Sequence, residues 1–155
     1  MHRRDFFRWV AVANVISPAL LAGVPSKKAS YHGGTLSDVT ASTVGKVHTV
    51  EAEAFVFRYQ GGELRIPYEQ INSLAYGQRA GRRLGLAIAI SPVLLLSKKR
   101  KHYLTIGFVD DAGRQQAAVF ELGKDIVRTT LAGLEARTGR EIEFDDEEAR
   151  KSSKW

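Results

Sequence analysis

The sequence predicts an α+β domain in which antiparallel strands are followed by one C-terminal helix. Two regions, residues 54–76 and 103–122, place apolar side chains at every second position, which is the period of a strand with one buried face. Turn sequences that contain glycine interrupt both regions. After residue 124 the apolar spacing changes to four and three, which is the period of a helix. Runs of strands followed by a helix are typical of the α+β class.

The first hairpin is predicted over residues 54–68. Alternating apolar side chains stand on both sides of Gly61-Gly62: Phe55, Phe57, Tyr59, Leu64, Ile66 and Tyr68. Glycine adopts the positive φ that a tight hairpin turn requires, so the two runs are expected to pair. Because Pro67 cannot donate a hydrogen bond to a neighbouring strand, the second run is predicted to end there or to lie at a sheet edge.

The rest of the predicted sheet consists of a second hairpin and four separate strands. Residues 103–109 and 115–122 form the hairpin around the turn sequence Asp110-Asp111-Ala112-Gly113. The separate strands are predicted at residues 31–39, 44–50, 71–76 and 141–144.

One helix is predicted over residues 124–138. Val127, Leu131 and Leu134 recur at spacings of four and three and would form one apolar face. Gly139 follows where a left-handed C-terminal cap is expected, and a base in the last turn suits the helix dipole. The charged residues 145–155 are predicted to form a flexible, solvated tail.

The sequence Ile66-Pro67-Tyr68-Glu69-Gln70-Ile71, leading into Leu74-Ala75-Tyr76-Gly77, is similar to a strand-turn-strand of bacterial pleckstrin-homology-like (PH-like) domains. The resemblance covers roughly residues 45–140. It implies two orthogonal antiparallel sheets that form a β-barrel, with the C-terminal helix closing one open end. Residues 31–144 are therefore predicted to be the PH-like domain. The resemblance brings no catalytic motif, and as a whole the chain resembles small exported bacterial proteins.

The N-terminus has the layout of an export signal. A short basic region is followed by an uncharged, largely apolar stretch at residues 9–23. The basic region contains paired arginines, a variable residue, two apolar residues and a base, and this pattern resembles the bacterial twin-arginine signal. The residues that form the pattern are Arg3, Arg4, Phe6, Phe7 and Arg8. This resemblance implies export to the periplasm or cell envelope. Residues 1–30 are therefore predicted to be an export signal or an N-terminal anchor.

Two other interpretations of the N-terminus stay open: an amphipathic helix packed on the domain, and an uncleaved membrane anchor. The apolar run is shorter than the roughly 20 residues that a membrane-spanning helix needs, and it contains Pro18. No small-x-small cleavage site follows it. Val24-Pro25-Ser26 is the best remaining cleavage position, although proline fits poorly there.

A basic surface is predicted at residues 79–102, which contain seven Lys or Arg and no acid: Arg79, Arg82, Arg83, Lys98, Lys99, Arg100 and Lys101. These cations flank the apolar residues 84–96, a run too short to cross a bilayer as a helix. In the preferred interpretation the run is buried core and the charges mark its exits to solvent. In the other interpretation, the apolar run enters the headgroup region of a membrane while the cations bind anionic lipid phosphates.

The sequence contains no recognisable catalytic, metal or cofactor site. The absence of Cys excludes disulfides, Cys-ligated zinc, iron–sulfur clusters and thiol nucleophiles. Glu51 and Glu53 would share one face of an extended chain as an acid/base pair, but a solvated face is the preferred interpretation. The histidines lack metal-ligand spacing, and each is predicted to be a solvated surface residue: His2, His32, His48 and His102.

These observations lead to the hypothesis of an exported, non-enzymatic binding or scaffold module without a cofactor. Its partner would be a protein or an anionic membrane surface, bound through residues 79–102. The alternative is an enzyme of unrecognised type with a pocket at one end of the barrel, lined by Glu51, Glu53, Tyr68 or Tyr76. The pI of about 9.7 suggests a nucleic-acid-binding domain as a third hypothesis. No nucleic acid is expected as partner, because the strand aromatics face the predicted core and an exported protein rarely meets nucleic acid.

Overall fold

The structure, a computed structural model, describes residues 24–78, 89–90, 101–145 and 147–154, and only the backbone of residues 89–90. Within these residues the elements in chain order are β1 (Ala29–Gly34), β2 (Thr43–His48), β3 (Ala54–Tyr59), β4 (Gly62–Pro67), a 3-10 helix (Tyr68–Gln70), β5 (Ile71–Gly77), β6 (Ala89–Ile90), β7 (His102–Val109), β8 (Gln115–Leu122), α1 (Val127–Thr138), β9 (Ile142–Phe144) and α2 (Glu147–Ser152). Residues 1–23, which contain the predicted signal motif, lie outside the described residues, as do residues 79–88 and 91–100.

The described strands form one continuous sheet in the order β4-β3-β2-β1-β8-β7-β5-β9, and β6 pairs with β1 beside this path. Their pairs are antiparallel except that of β5 with β9, which is parallel. The order begins at β4 and ends at β9, and these two strands do not pair with each other. The predicted α+β class is confirmed, but the described sheet is not closed into a barrel.

Both predicted hairpins are confirmed. β3 pairs with β4 along its whole length, and the turn residue Gly61 has a φ of 107°. β4 lies at an edge of the sheet, in agreement with Pro67. β7 pairs with β8 along its whole length. In the turn between them, the Asp110 carboxylate accepts the backbone N–H groups of Ala112 and Arg114 at 3.0 and 2.9 Å.

The first strand differs from its prediction. It begins earlier, at Ala29, and it ends at Gly34. Gly33 and Gly34 have φ values of 142° and 148°, and the register of the β1–β8 pair shifts between Tyr31 and Gly33. A Cβ atom on Gly34 would lie 2.1 Å from the carbonyl oxygen of Ala117. Glycine is therefore required where β1 makes this irregular, close approach to β8.

One face of the sheet packs against α1 and forms the hydrophobic core. The largest fully buried side chains of this face come from β1, β3, β4, β5, β7 and β8: Tyr31, Phe55, Phe57, Ile66, Ile71, Leu74, Tyr76, Leu104, Ile106, Phe120 and Leu122. Val127, Leu131 and Leu134 of α1 are buried against them, as the helical spacing predicts. Burial of this apolar surface is the main favourable contribution to folding.

α1 begins at Val127, later than the predicted residue 124. The residues before it bind the N-terminal segment instead, and the Asp125 N–H donates to the Ser26 carbonyl at 3.0 Å. The helix ends as predicted, because Gly139 takes the left-handed conformation with a φ of 65°.

The C-terminal residues differ from the predicted flexible tail. β9 confirms the strand predicted at residues 141–144, and it pairs with β5, but α2 then occupies Glu147–Ser152. Ala149 is fully buried in the core cluster, and the Ser152 hydroxyl lies 3.3 Å from the hydroxyl of Tyr76. The acids of α2 lie in its first turn and its bases in its last turn, where the helix dipole favours them. This segment is therefore part of the folded domain.

We expect Gly34→Ala to lower the free energy of unfolding by at least about 2 kcal/mol, because the new methyl group meets the Ala117 carbonyl and the positive φ strains alanine. The matched control is Gly113→Ala. Its φ is 77°, but a Cβ there meets nothing within 4 Å. Strain alone should cost this control about 1 kcal/mol. Urea unfolding measures both variants, and equal losses would contradict the close approach of β1 to β8.

Candidate functional site

The central strands are buried on both faces. Opposite the core, β1, β7 and β8 carry a second face whose side chains are also buried: Ser30, His32, Tyr103, Thr105, Ala117, Val119 and Glu121. Among the described residues, four of the five buried polar or charged side chains lie on this face, and the fifth is Thr130 of α1. A buried charge is costly unless it is paired. Glu121 and its surroundings are therefore the candidate functional site.

Glu121 is a buried carboxylate with contacts from three separate parts of the chain. Its side chain is 5% exposed. Its Oε2 atom lies 3.0 Å from Lys101 Nζ and 2.7 Å from His32 Nε2. Its Oε1 atom accepts the backbone N–H of Val24 at 3.3 Å. The carboxylate therefore connects the N-terminal segment, β1 and the entry to β7 with β8.

These contacts keep Glu121 ionised. Burial by itself raises the pKa of this carboxyl, but the contacts with His32, Lys101 and the Val24 N–H outweigh burial and lower the pKa to about 2. Burial and the charge of Glu121 raise the pKa of the neighbouring Tyr103 to about 12. A carboxylate this acidic is a weak general base near neutral pH. The cluster is suited to holding chain segments together.

The prediction of a solvated His32 is wrong. The residue is 7% exposed, and its ring meets that of Tyr103 edge-on, with the centroids 5.8 Å apart. Its Nε2 atom lies 2.7 Å from Glu121 Oε2, and among the contacts of Glu121 this one lowers the pKa of the carboxyl most. His32 therefore contributes a short polar contact to the cluster.

A second polar contact joins β5, β7 and α2. The Tyr76 hydroxyl and Nδ1 of His102 share a hydrogen bond of 2.5 Å, and the Ser152 hydroxyl lies 3.3 Å from the same tyrosine oxygen. Burial raises the pKa of Tyr76, so the phenol hydroxyl stays protonated. Burial also lowers the pKa of His102, although the charge of Glu121 opposes this shift. His102 is therefore a half-buried, hydrogen-bonded residue whose burial favours the neutral ring, and not the solvated residue that was predicted.

Only one residue of the predicted basic surface is described. Lys101 donates to Glu121, and its side chain is 16% exposed. The Lys101 ammonium therefore lies on the second buried face of the sheet, beside Glu121. The other members of the predicted surface lie outside the described residues: Arg79, Arg82, Arg83, Lys98, Lys99 and Arg100.

A groove of about 940 Å³ lies between β4, the 3-10 helix, the β7–β8 turn and the C-terminal end of α1. Glu53 and Tyr68 line it, but Glu51 and Tyr76 do not. Glu51 pairs instead with arginines of β3 and β4. The Tyr68 hydroxyl donates to the Thr49 carbonyl at 3.1 Å, and burial raises its pKa. The groove thus contains only part of the carboxylate and tyrosine set that the enzyme hypothesis requires.

Within the described residues, no three His, Cys, Asp or Glu side chains are grouped so that they could hold a metal ion. No described helix combines the length and apolarity needed to cross a membrane. No protein-family model matches this chain, and no curated protein matches it significantly.

Sequence analysis missed Glu121 as a site residue. The signal in the sequence is a lone acid within the apolar residues 117–122, on the same strand face as Ala117 and Val119. On a strand with one solvated face such an acid is ordinary. It becomes informative only when both faces of the strand are known to be buried.

We predict that Glu121 makes the stability of the protein fall at acidic pH. Its pKa is about 2 in the folded protein against 4.5 for an unperturbed glutamate, so the unfolded chain takes up the proton first as the pH falls. The stabilisation is complete above pH 4.5 and is lost as the pH falls toward 2, by about 3 kcal/mol in total. Urea unfolding as a function of pH measures this loss.

The matched variants for this titration are Glu121→Gln and Glu143→Gln, since Glu143 is exposed on β9. Glu121→Gln should lose most of the fall in stability at acidic pH, and Glu143→Gln should keep it. If the wild type and Glu121→Gln lost stability in parallel between pH 5 and 3, the ionised, paired state of Glu121 would be contradicted.

Proposed function

We propose that this protein is an exported, non-enzymatic binding or scaffold module with a PH-like domain, and that its basic segment, residues 79–102, binds an anionic membrane surface. The observation that carries the proposal is the arrangement of this segment. In the sequence its cations precede and follow β6, which pairs with β1, and its last cation, Lys101, contacts Glu121. The proposal locates the protein in the periplasm or cell envelope.

The strand order supports the PH-like assignment. β1 to β4 form one antiparallel meander, and β5, β7 and β8 form another. The two meanders meet at the β1–β8 pair, and α1 follows β8 and covers the core. Two antiparallel meanders followed by a helix agree with the resemblance, although the described strands form one open sheet and not the two orthogonal sheets of a barrel. A domain of this kind without a catalytic motif is best explained as a binding module.

The basic segment is attached to the sheet at three places. Gly77 pairs with Tyr103, so the chain leaves β5 and enters β7 at neighbouring points. Between them, Ala89–Ile90 pair with β1, three strands away from β5 in the sheet order. Lys101 is the third attachment, through Glu121. The described parts of the segment are therefore held on a rigid support, which reduces the entropy lost when the segment binds a surface.

The charge of the segment is sufficient for surface binding. A Lys or Arg near an anionic leaflet contributes about 1 kcal/mol. With Lys101 occupied by Glu121, six cations remain from the seven in residues 79–102. Several of them acting together with apolar side chains of residues 84–96 would give stable but salt-sensitive binding.

Flotation of the purified protein with vesicles that contain anionic lipid tests this proposal. The test variant combines Lys98→Glu, Lys99→Glu and Arg100→Glu. Lys101 stays unchanged, because its reversal would bring a second carboxylate against Glu121 and destabilise the fold. We expect the affinity of the test variant for the vesicles to fall at least about tenfold.

The matched control reverses three exposed cations near α1 by Lys124→Glu, Arg128→Glu and Arg140→Glu, so that the net charge changes equally. It should retain most of the binding. Equal binding by the wild type and the test variant, or an equal loss in both variants, would show that the basic segment is not the contact.

An enzyme of unrecognised type remains the second candidate function. The observation that favours it is the groove lined by Glu53 and Tyr68. An activity that is lost in Glu53→Gln, while the unfolding transition stays unchanged, would favour this candidate over the binding module.

A further inference from the structure

We propose that β4 pairs with β4 of a second copy of this chain, so that two domains share one continuous antiparallel sheet around a two-fold axis. The surface and the partner both differ from those of the membrane proposal, and the pairing requires neither export nor membrane binding. It uses the backbone of residues 62–66 and the two charges that this strand carries, Glu63 and Arg65.

β4 has an open edge. It pairs with β3 on one side, and no described strand lies on the other. Gly62, Glu63 and Arg65 are exposed, and the side chains of the two charged residues are 40% and 45% exposed. The edge is therefore accessible to water, and it presents free backbone N–H and C=O groups to another strand.

The hairpin register shows which residues of β4 direct their backbone groups outward. Two residues connect β3 to β4, so the strand pair that closes the hairpin exchanges hydrogen bonds. The pattern then alternates: even-numbered residues of β4 bond to β3, and odd-numbered residues face the free edge. The Tyr68 N–H agrees with this alternation, because it donates to the Glu53 carbonyl at 2.9 Å. Glu63 and Arg65 therefore each offer an N–H and a C=O at the edge.

One register of two antiparallel copies joins these outward groups and opposite charges at the same time. Centred on Leu64, it places Glu63 of each copy opposite Arg65 of the other, and each of these pairs exchanges both backbone hydrogen bonds. A register centred on Glu63 or on Arg65 would place like charges opposite each other, which is destabilising. Pro67, which has no N–H, lies beyond the paired residues.

The side chains on the exposed face of β4 complement those of a second copy. Within one copy, Glu63 lies 3.1 Å from Arg58 and 3.4 Å from Arg65, and Arg65 lies 3.7 Å from Glu51. Residues directly opposite each other in antiparallel strands have Cβ atoms about 5 Å apart. Glu63 and Arg65 of the second copy would therefore extend this cluster of alternating charges. The backbone supplies the affinity, and the charges select the register and the partner.

A two-fold axis limits this assembly to two copies, because both use the same edge. The other open edge is less suited to pairing. β9 has three residues, and two copies paired about its central residue would place Glu143 opposite itself. The paired part of β4 is short, so we expect a weak dimer that forms as the protein concentration rises.

Sedimentation velocity of the purified full chain over a range of concentrations tests the pairing. We expect a reversible equilibrium between monomer and dimer. Arg65→Glu should raise the dissociation constant at least about tenfold, because both opposite-charge pairs become like-charge pairs. Arg128→Glu, an equal change of charge at an exposed position of α1, should dimerise like the wild type. A monomer at every concentration up to about 1 mM, a larger assembly, or equal dimerisation by Arg65→Glu would overturn the inference.

A mixture of Arg65→Glu with Glu63→Arg separates loss of pairing from loss of folding. Each variant alone places like charges opposite each other, but one copy of each restores both opposite-charge pairs. We expect heterodimers that are much tighter than either homodimer. If a variant fails to fold, hydrogen exchange of the wild type decides, since the Glu63 and Arg65 amides should exchange more slowly as concentration rises. Folded variants that form no heterodimer, or exchange that is independent of concentration, would refute the pairing.

Discussion

The pair of β1 with β8 is the interaction on which the rest of the structure depends. β1 contacts β2 on one side and β8 on the other, and so joins the two meanders into one sheet. On the core face, Tyr31 packs edge-on against Phe120 with the ring centroids 5.7 Å apart. On the opposite face, His32 and Glu121 lie 2.7 Å apart and are buried. Exposure of the core face would leave apolar surface in water, which opposes it. On the opposite face the burial of the Glu121 charge is tolerated because the carboxylate is paired.

This constraint also connects the domain to the segments that the proposed function uses. Val24 and Lys101 contact the same carboxylate. They are the points where the predicted signal and the predicted basic surface join the described domain. A single buried charge therefore orders the start of the domain and the end of the basic segment on one side of the sheet.

Much of the fold was predictable from periodicity. Alternation found β3, β4, β7 and β8, and the spacing of Val127, Leu131 and Leu134 found α1. The signals of β4 and α1 are strong because each of these elements buries one face and exposes the other. β7 and β8 are buried on both faces, and they were found because large apolar side chains on their core face alternate with smaller or polar ones such as Thr105 and Glu121. Burial of this second face could not be predicted, since a polar side chain in an alternating strand is equally typical of a solvated face. α2 was missed because Ala149 is its only buried residue, and one alanine among charges gives no period.

Native-state hydrogen exchange of the strand amides measures whether the β1–β8 pair holds the two meanders together. If the β1–β8 pair holds the two meanders together, its amides should exchange only through global unfolding and should be the slowest in the protein. The amides of the edge strand β4 should exchange faster, through local opening. Exchange of the β1 and β8 amides at rates equal to or faster than those of β4 would contradict the account.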